Sequence, residues 1–194
     1  MSFAVVYDAC VLYPNVLRDL LIRVAIGHKV RAHWTDQILD EVFENLIENR
    51  PDLDRVRLAR TRVLMGKALP DAKVTGYESL VPALELPDPD DRHVLAAAIR
   101  AGAQMIVTSN LKDFPPECLS PFAIEAKGPD DFLVDQYHLD PVVMNMHVAM
   151  ITADWAAKRP DSTPGDVYEH LEAAGIIQLT ALLRAAGSDE PGQE

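Results

Sequence analysis

The sequence is poor in most of the residues that announce a specialised class. Only 2 of its 194 residues are cysteine, Cys10 and Cys118, far apart and with no Cys-x-x-Cys pair. That excludes a disulfide framework and a cysteine-based zinc site, and it suits a reducing cytosol. No apolar run approaches the roughly 18 residues that a membrane-crossing helix needs. The opening Met-Ser-Phe-Ala-Val-Val-Tyr-Asp has no basic start, so no secretory leader is expected. Neither a Gly-x-Gly-x-x-Gly loop nor a Walker loop is present, which removes the usual nucleotide folds. Asp8-Ala-Cys also lacks the second aspartate of a phosphatase loop. Positive charge is scarce: 18 Lys and Arg stand against 30 Asp and Glu, for a net charge of −12 and a pI near 4.8. A balance this acidic argues against loose, sequence-blind nucleic-acid binding, which needs a basic face.

What remains is an ordinary globular composition, 48% hydrophobic and 25% charged. It excludes a disordered or collagen-like chain. A chain of this length buries roughly 70% of its unfolded surface and can stand on its own core, as one domain or one domain with an appendage. The acidity is uneven. Residues 1–125 hold 14 Lys and Arg against 18 Asp and Glu, whereas residues 126–194 hold 4 against 12.

The pattern alternates between strand and helix. Residues 3–7 form a short apolar run that ends in Asp8 and reads as a buried strand. Val16, Leu17, Leu20, Leu21, Val24 and Ala25 make a helical stripe, with Gly27 offering its cap. A second helix opens at Thr35 with an apolar face through Ile38, Val42 and Leu46, and an arginine-rich helix is predicted over 52–67. Residues 72–77 read as extended. Acidic turn residues 88–91 lead into a helix from Arg92 to Ala101, stopped by Gly102. Residues 104–108 read as a second buried strand and 122–125 as a further one. The fold class is therefore α/β with a mostly parallel sheet. After Gly128 the strand signal ends. Helices are predicted over 129–137, over 141–157, and from a Thr163 cap, with Pro164 at its first position, to about Ala186.

In an open parallel sheet, ligands collect beyond the C-terminal strand ends. There the sequence places Asp8 after the first strand, and Thr108, Asn110 and Asp113 after a later one. Asp91 starts the helix that feeds that later strand, although the crossover alone does not fix which sheet end it faces. Glu41 borders the apolar stripe of its helix, where an acid needs a partner. Two like charges 4 Å apart repel by about 4 kcal/mol at an effective dielectric near 20. Gathered carboxylates must therefore stay apart, take up protons or hold a cation. Oxygen ligands without His or Cys select a hard ion, Mg²⁺ or Mn²⁺. Metal-activated water attacking a phosphodiester is the chemistry that follows. Single acids in turns and at helix starts are ordinarily caps, and Asp88 and Asp90 are the plainest examples.

Four segments resemble the motifs of PIN-domain nucleases, in order and spacing, through roughly residues 1–125. They are Val-Val-Tyr-Asp8-Ala-Cys, Trp-Thr-Asp-Gln-Ile-Leu-Asp-Glu41-Val, Pro-Asp-Asp91-Arg-His-Val-Leu and Ile-Val-Thr108-Ser-Asn110-Leu-Lys-Asp113-Phe. The resemblance extends to bacterial VapC-like toxins of type II toxin–antitoxin pairs, in a longer subgroup with a C-terminal helical extension. It implies a three-layer α/β/α PIN-like domain over 1–127 and an extension over 128–186, while the polar residues 187–194 read by themselves as an unstructured tail. By position, Asp8, Glu41, Asp91 and Asp113 carry over as catalytic acids and ligands of Mg²⁺, with Mn²⁺ as a substitute. Thr108 and Asn110 carry over as substrate-positioning groups. Many relatives have Asp where this chain has Asn110, so one firm metal site is expected rather than two. The implied partners are an RNA substrate, tRNA or another structured RNA, a small antitoxin protein and a second copy of the chain. No membrane is implied, and the setting is cytoplasmic.

The other residues read more blandly. Arg50, Arg55, Arg57, Arg60, Arg62 and Lys67 form the only basic run, a solvated face offsetting nearby acids or else a phosphate-tracking rim. His93 is expected on the surface or at a cap, with a general acid–base role as the alternative, Cys10 as a small buried residue near the site, and Trp34 and Trp155 as packing residues, with base stacking as the alternative. The competing functional reading is a catalytically weak or inactive PIN-like domain used as an RNA- or protein-binding module.

Overall fold

The computed structural model describes residues 3–27 and 30–188. The chain forms two compact units, Met1–Gly128 and Pro129–Glu194.

In the first unit, β1 (Phe3–Tyr7) leads through Asp8 into a short helix α1 (Ala9–Leu12) and then α2 (Asn15–Ile26). β2 (Val30–His33) follows, then α3 (Asp36–Asn49), α4 (Arg55–Ala68), α5 (Arg92–Ala101), β3 (Met105–Val107), α6 (Pro116–Leu119) and β4 (Glu125–Lys127). The four strands make one parallel sheet in the order β2-β1-β3-β4. This is the α/β class with a parallel sheet expected from the alternating pattern, in the α/β/α form that the resemblance implies. The chain leaves β1 for β2 on one side and returns through β3 on the other, so a switch point lies between β1 and β3. A crevice opens beyond the carboxyl ends of strands at such a point. Asp8 and Thr108 are the first residues past those two ends.

Local chemistry sets the helix ends. Thr35 accepts from the Ile38 amide at 3.0 Å and starts α3, as its sequence predicts. Gly102 takes the left-handed conformation (φ 61°) that closes α5, which a residue with a Cβ adopts only with strain. α5 is buried nearly all round, with Val94 to Ala98 inaccessible to water. Its three consecutive alanines, 96 to 98, are all part of that core. Arg18 is itself buried. Its guanidinium donates to the Leu12 and Tyr13 carbonyls (2.7 and 3.2 Å) and to Asn15 Oδ1 (2.9 Å), tying α1 to α2. Burial lowers its pKa to about 10.

Three expectations change. The segment at 122–125 is not a strand: Pro121 sits in a 3₁₀ turn over Ser120–Phe122 and Ala123 turns left-handed (φ 55°), so β4 begins only at Glu125. β2 has no counterpart in the sequence reading, because its four residues alternate exposed arginine and half-buried histidine with small apolar partners and give no continuous run. The arginine-rich helix starts at Arg55 rather than residue 52, behind an Asp54 cap. The extended 72–77 segment contributes a single bridge, Trp34 to Lys73.

The second unit holds α7 (Pro129–Leu139), α8 (Pro141–Ala156), α9 (Pro164–Ala173) and α10 (Gln178–Ser188). Its core is formed by Phe132, Leu133, Met144, Val148, Ile151, Val167, Leu171, Ile176, Leu179 and Leu183. Asp130, in the first turn of α7, accepts from the amides of Ile177, Gln178 and Leu179 at 2.8–3.0 Å and so caps α10 from another helix. Thr163 and Asp166 close a reciprocal capping box at the start of α9. α10 continues to Ser188, past the expected end at Ala186, and the rest of the expected tail lies outside the described residues. Among the described residues no helix is long and apolar enough to cross a membrane.

Candidate active site

Asp8 follows the last residue of β1 and is buried. Its Oδ1 accepts from the Ala9 amide at 2.7 Å. Its Oδ2 accepts from the Thr108 hydroxyl at 2.7 Å and the Cys10 thiol at 3.1 Å. Thr108 Oγ1 in turn accepts from the Asn110 amide at 3.0 Å, so one hydroxyl pins the acid of one strand end to the loop of the other. The Ser109 amide donates to Cys10 Sγ at 3.2 Å. Burial, then the Asp8 charge, pushes the Cys10 thiol up to about 11, which keeps it protonated and unfit as a nucleophile.

Asp91 ends the 3₁₀ turn before α5 and shares a cavity of about 440 Å³ with Asp8, Glu41, Tyr13, Asn45, Asn49, Cys10 and Asn110. Its Oδ2 is buried and has no hydrogen-bond partner. Desolvation first, then the charges of Asp8, Asp88 and Asp113, raise its pKa to about 6. An ordinary helix cap does the opposite, because donors stabilise the charged form. Asp88, Asp91 and Asp113 each offer a carboxylate oxygen within 4.8 Å of the others.

Of the four acids singled out from sequence, the structure brings Asp91 and Asp113 into this trio. Asp8 and Glu41 line the cavity beside Asp91 but stand outside the trio. The third member is Asp88. It accepts from the Asp90 amide at 2.9 Å, as a turn residue should, and contributes to the cluster as well. Its spacing of three before Asp91, across a Pro-initiated 3₁₀ turn, is the signal that places both on one side. Asn110 donates its amide to an Asp113 oxygen, and Lys112 approaches the same oxygen at 3.9 Å.

His93 departs from expectation. It is 4% exposed, because α5 enters the core within its first turn. Nε2 lies 2.9 Å from Glu41 Oε1, while Nδ1 is buried without a partner. The sequence cue for this pair is a histidine next to the apolar run 94–98, set against an acid on another helix's apolar edge. Three residues of the basic run are set against nearby acids. Arg62 bonds Asp40 and Asp36, Arg50 bonds Asp52, and Arg57 approaches Asp54 at 3.9 Å.

The residues present fit a hard divalent cation. The donors are all oxygen, one carboxylate oxygen is buried and unpartnered, and the mutual repulsion already shows in Asp91.

The chain is similar to the PIN domain over residues 4–112 and to the VapC50 C-terminal domain over 129–185. The first match spans more than half of the chain, and the chain belongs to the PIN-domain family. Over 64 residues it is 53% identical to a protein of Mycobacterium tuberculosis (strain ATCC 25618 / H37Rv) named "Putative ribonuclease VapC50". That stretch is 33% of this chain and 37% of the relative, so only about a third of either sequence is aligned. No solved structure matches the chain.

Proposed function

We propose that the chain is a Mg²⁺- or Mn²⁺-dependent endoribonuclease that hydrolyses RNA phosphodiester bonds and acts, in the cytoplasm, as the toxin of a type II toxin–antitoxin pair. Its substrate is tRNA or another structured RNA, residues 1–127 form the nuclease domain and residues 128–186 the helical extension. The observation that carries this reading is Asp91: a carboxyl raised to about 6, with a buried unpartnered oxygen, amid Asp88, Asp113 and Asp8. A cluster so arranged is a standing demand for a cation.

A bound divalent ion supplies Lewis acidity, polarising a phosphate oxygen and lowering the pKa of water. Asp88, Asp91 and Asp113 would hold it, with Asp8 adding charge beside them. Asp8 needs no reorganisation, since the Ala9 amide, Thr108 and Cys10 fix both of its oxygens. Glu41, aimed by His93, stands on the cavity wall as the group that orients water or takes its proton. Asn110 lines the same wall and positions substrate. The products are a 5′-phosphate and a 3′-hydroxyl, because no 2′-hydroxyl attack is required; cyclic 2′,3′-phosphate ends would contradict the scheme. The antitoxin silences the site with a basic segment, since an arginine fork pairs well with clustered carboxylates. The active form is a homodimer.

One observation favours the alternative of a catalytically weak binding module. Asn110 carries no charge and its amide already occupies Asp113. Cleavage of a tRNA pool in Mg²⁺, Mn²⁺ and EDTA, by wild type and Asp8→Asn, separates the two. Metal-dependent cutting lost in Asp8→Asn supports the nuclease, and identical behaviour throughout supports the module.

A further inference from the structure

The second unit is the more acidic one: over residues 129–194, three cations, Lys158, Arg159 and Arg184, stand against twelve carboxylates. Arg184 is spent within the unit. It bonds Glu172 at 3.1 Å and lies over the Tyr168 ring. The other two cations have no carboxylate partner among the described residues, although acids surround them. Both line a cleft of about 380 Å³ with Trp155, Ser162, Asp166 and His170.

Trp155 is half-buried and carries the unit's only indole. Arg159 lies 5.9 Å from its ring centre and His170 meets it edge-on at 4.9 Å. The Asp166 carbonyl accepts from His170 Nδ1 at 2.8 Å, which leaves Nε2 as an acceptor in the neutral ring. The position of Lys158 and Arg159 just past the end of α8 suits the helix dipole. That accounts for positive charge there, but not for a cavity walled by an indole. Asp166 lines the same cleft as a charged carboxylate, and its bonds from the Thr163 amide and hydroxyl at 2.6 and 2.8 Å turn one oxygen toward its own helix start without cancelling that charge, so it opposes an anion. Asp161, exposed on the same rim, is a second opposing charge.

Two unpaired cations beside a half-exposed indole are the elements with which proteins hold single-stranded nucleic acid: charge for the phosphates and a ring for the base. We propose that this cleft is a second RNA-binding site, remote in sequence from the acid cluster. It takes backbone phosphates on Lys158 and Arg159 and seats an unpaired base against Trp155. It goes beyond the proposed nuclease function and stands whether or not the acid cluster cuts RNA.

Binding of a fluorescein-labelled single-stranded hexaribonucleotide to the full-length chain tests this, in EDTA, so that no cleavage and no metal-bridged binding at the acid cluster intrudes. The joint change Lys158→Ala with Arg159→Ala should weaken binding by at least roughly tenfold. It should also flatten the salt dependence by about 1.4 log–log units, at about 0.7 for each single-strand phosphate that is no longer neutralised. Trp155→Ala should weaken binding roughly tenfold through missing stacking, with Trp155→Phe recovering most of it. Asp161→Asn should tighten binding. Unchanged affinity and salt slope in the double variant would overturn the proposal, as would wild type that fails to bind at low salt. Displacement of the RNA by poly-glutamate at equal charge would reduce the cleft to a plain anion patch and end the base-seating claim. Asp8→Asn should leave this binding intact while abolishing any Mn²⁺-dependent cutting, so failure of the nuclease reading and failure of this one are told apart.

Discussion

Two aspartates mark the starts of α5 and α9, and their fates diverge. Asp166 lies three residues past its cap, receives the Thr163 amide and hydroxyl, and is held below the usual carboxylate range by those bonds. Asp91 is itself the cap residue of α5, lacks a donor on its buried oxygen, and is pushed up to about 6 by desolvation and by Asp8, Asp88 and Asp113. The residue type is the same, but one acid is the cap that ends a 3₁₀ turn and the other stands inside the first helical turn. What separates a structural acid from a candidate ligand is whether nearby donors already satisfy its oxygens and stabilise its charge.

The sharpest way to break that contrast is to neutralise each acid in turn. Asp91→Asn should lower RNA cleavage by about a thousandfold, equivalent to about 4 kcal/mol in the transition state, whereas Asp166→Asn should leave the rate within about twofold. Steady-state cleavage assays read both. Next in size is the response to metal. Mn²⁺ at about a hundred times its dissociation constant should stabilise wild type by about 2.7 kcal/mol, visible as a rise in melting temperature that Asp91→Asn abolishes and Asp166→Asn keeps. His93→Ala frees Glu41 and should cost roughly tenfold in kcat, with His93→Gln restoring most of it because an amide can still donate. Asn110→Asp adds a ligand charge and removes the donor from Asp113. It should tighten Mn²⁺ about tenfold in calorimetry while lowering metal-free stability.

The smallest effect is the pH signature. A carboxyl raised in the folded protein contributes stability that is complete below its unfolded value and lost as pH climbs through about 6. In EDTA, wild type should therefore lose on the order of 1 kcal/mol relative to Asp91→Asn between pH 4 and 7, after solvent screening is allowed for. Asp166 works in the reverse sense. Its contribution is present above its unfolded value and fades as pH falls through the depressed one. Denaturant melts of the two asparagine variants across pH separate the signs.

Much of the frame is legible in the sequence because its signals are local. Thr35, Gly102 and the Thr163–Asp166 pair announce helix ends within four residues, and β1 and β3 are short apolar runs bounded by polar groups. β2 escapes because an edge strand with alternating exposure shows no run, and the strand expected at 122–125 fails because a proline turn and a left-handed alanine intervene. At the site, the motif order points to Asp8, Glu41, Asp91 and Asp113, yet their mutual arrangement is a tertiary fact. Asp88 reads as a turn because its turn bond is real, and its second role is visible only in three dimensions. His93 reads as surface because a helix's first turn is usually solvated. Here the helix dives straight into the core.

The order β2-β1-β3-β4 has a bearing on what the site needs in order to stay assembled. β1 and β3 are the inner strands, laddered on both sides, and they carry Asp8 and Thr108 at their ends. Amide exchange at this spot therefore requires parting the middle of the sheet rather than fraying an edge. Unlike a zinc finger, which assembles around its metal, this domain frames Asp8 and Thr108 with its own sheet, so on the proposed reading starvation for magnesium would idle the protein without unravelling it.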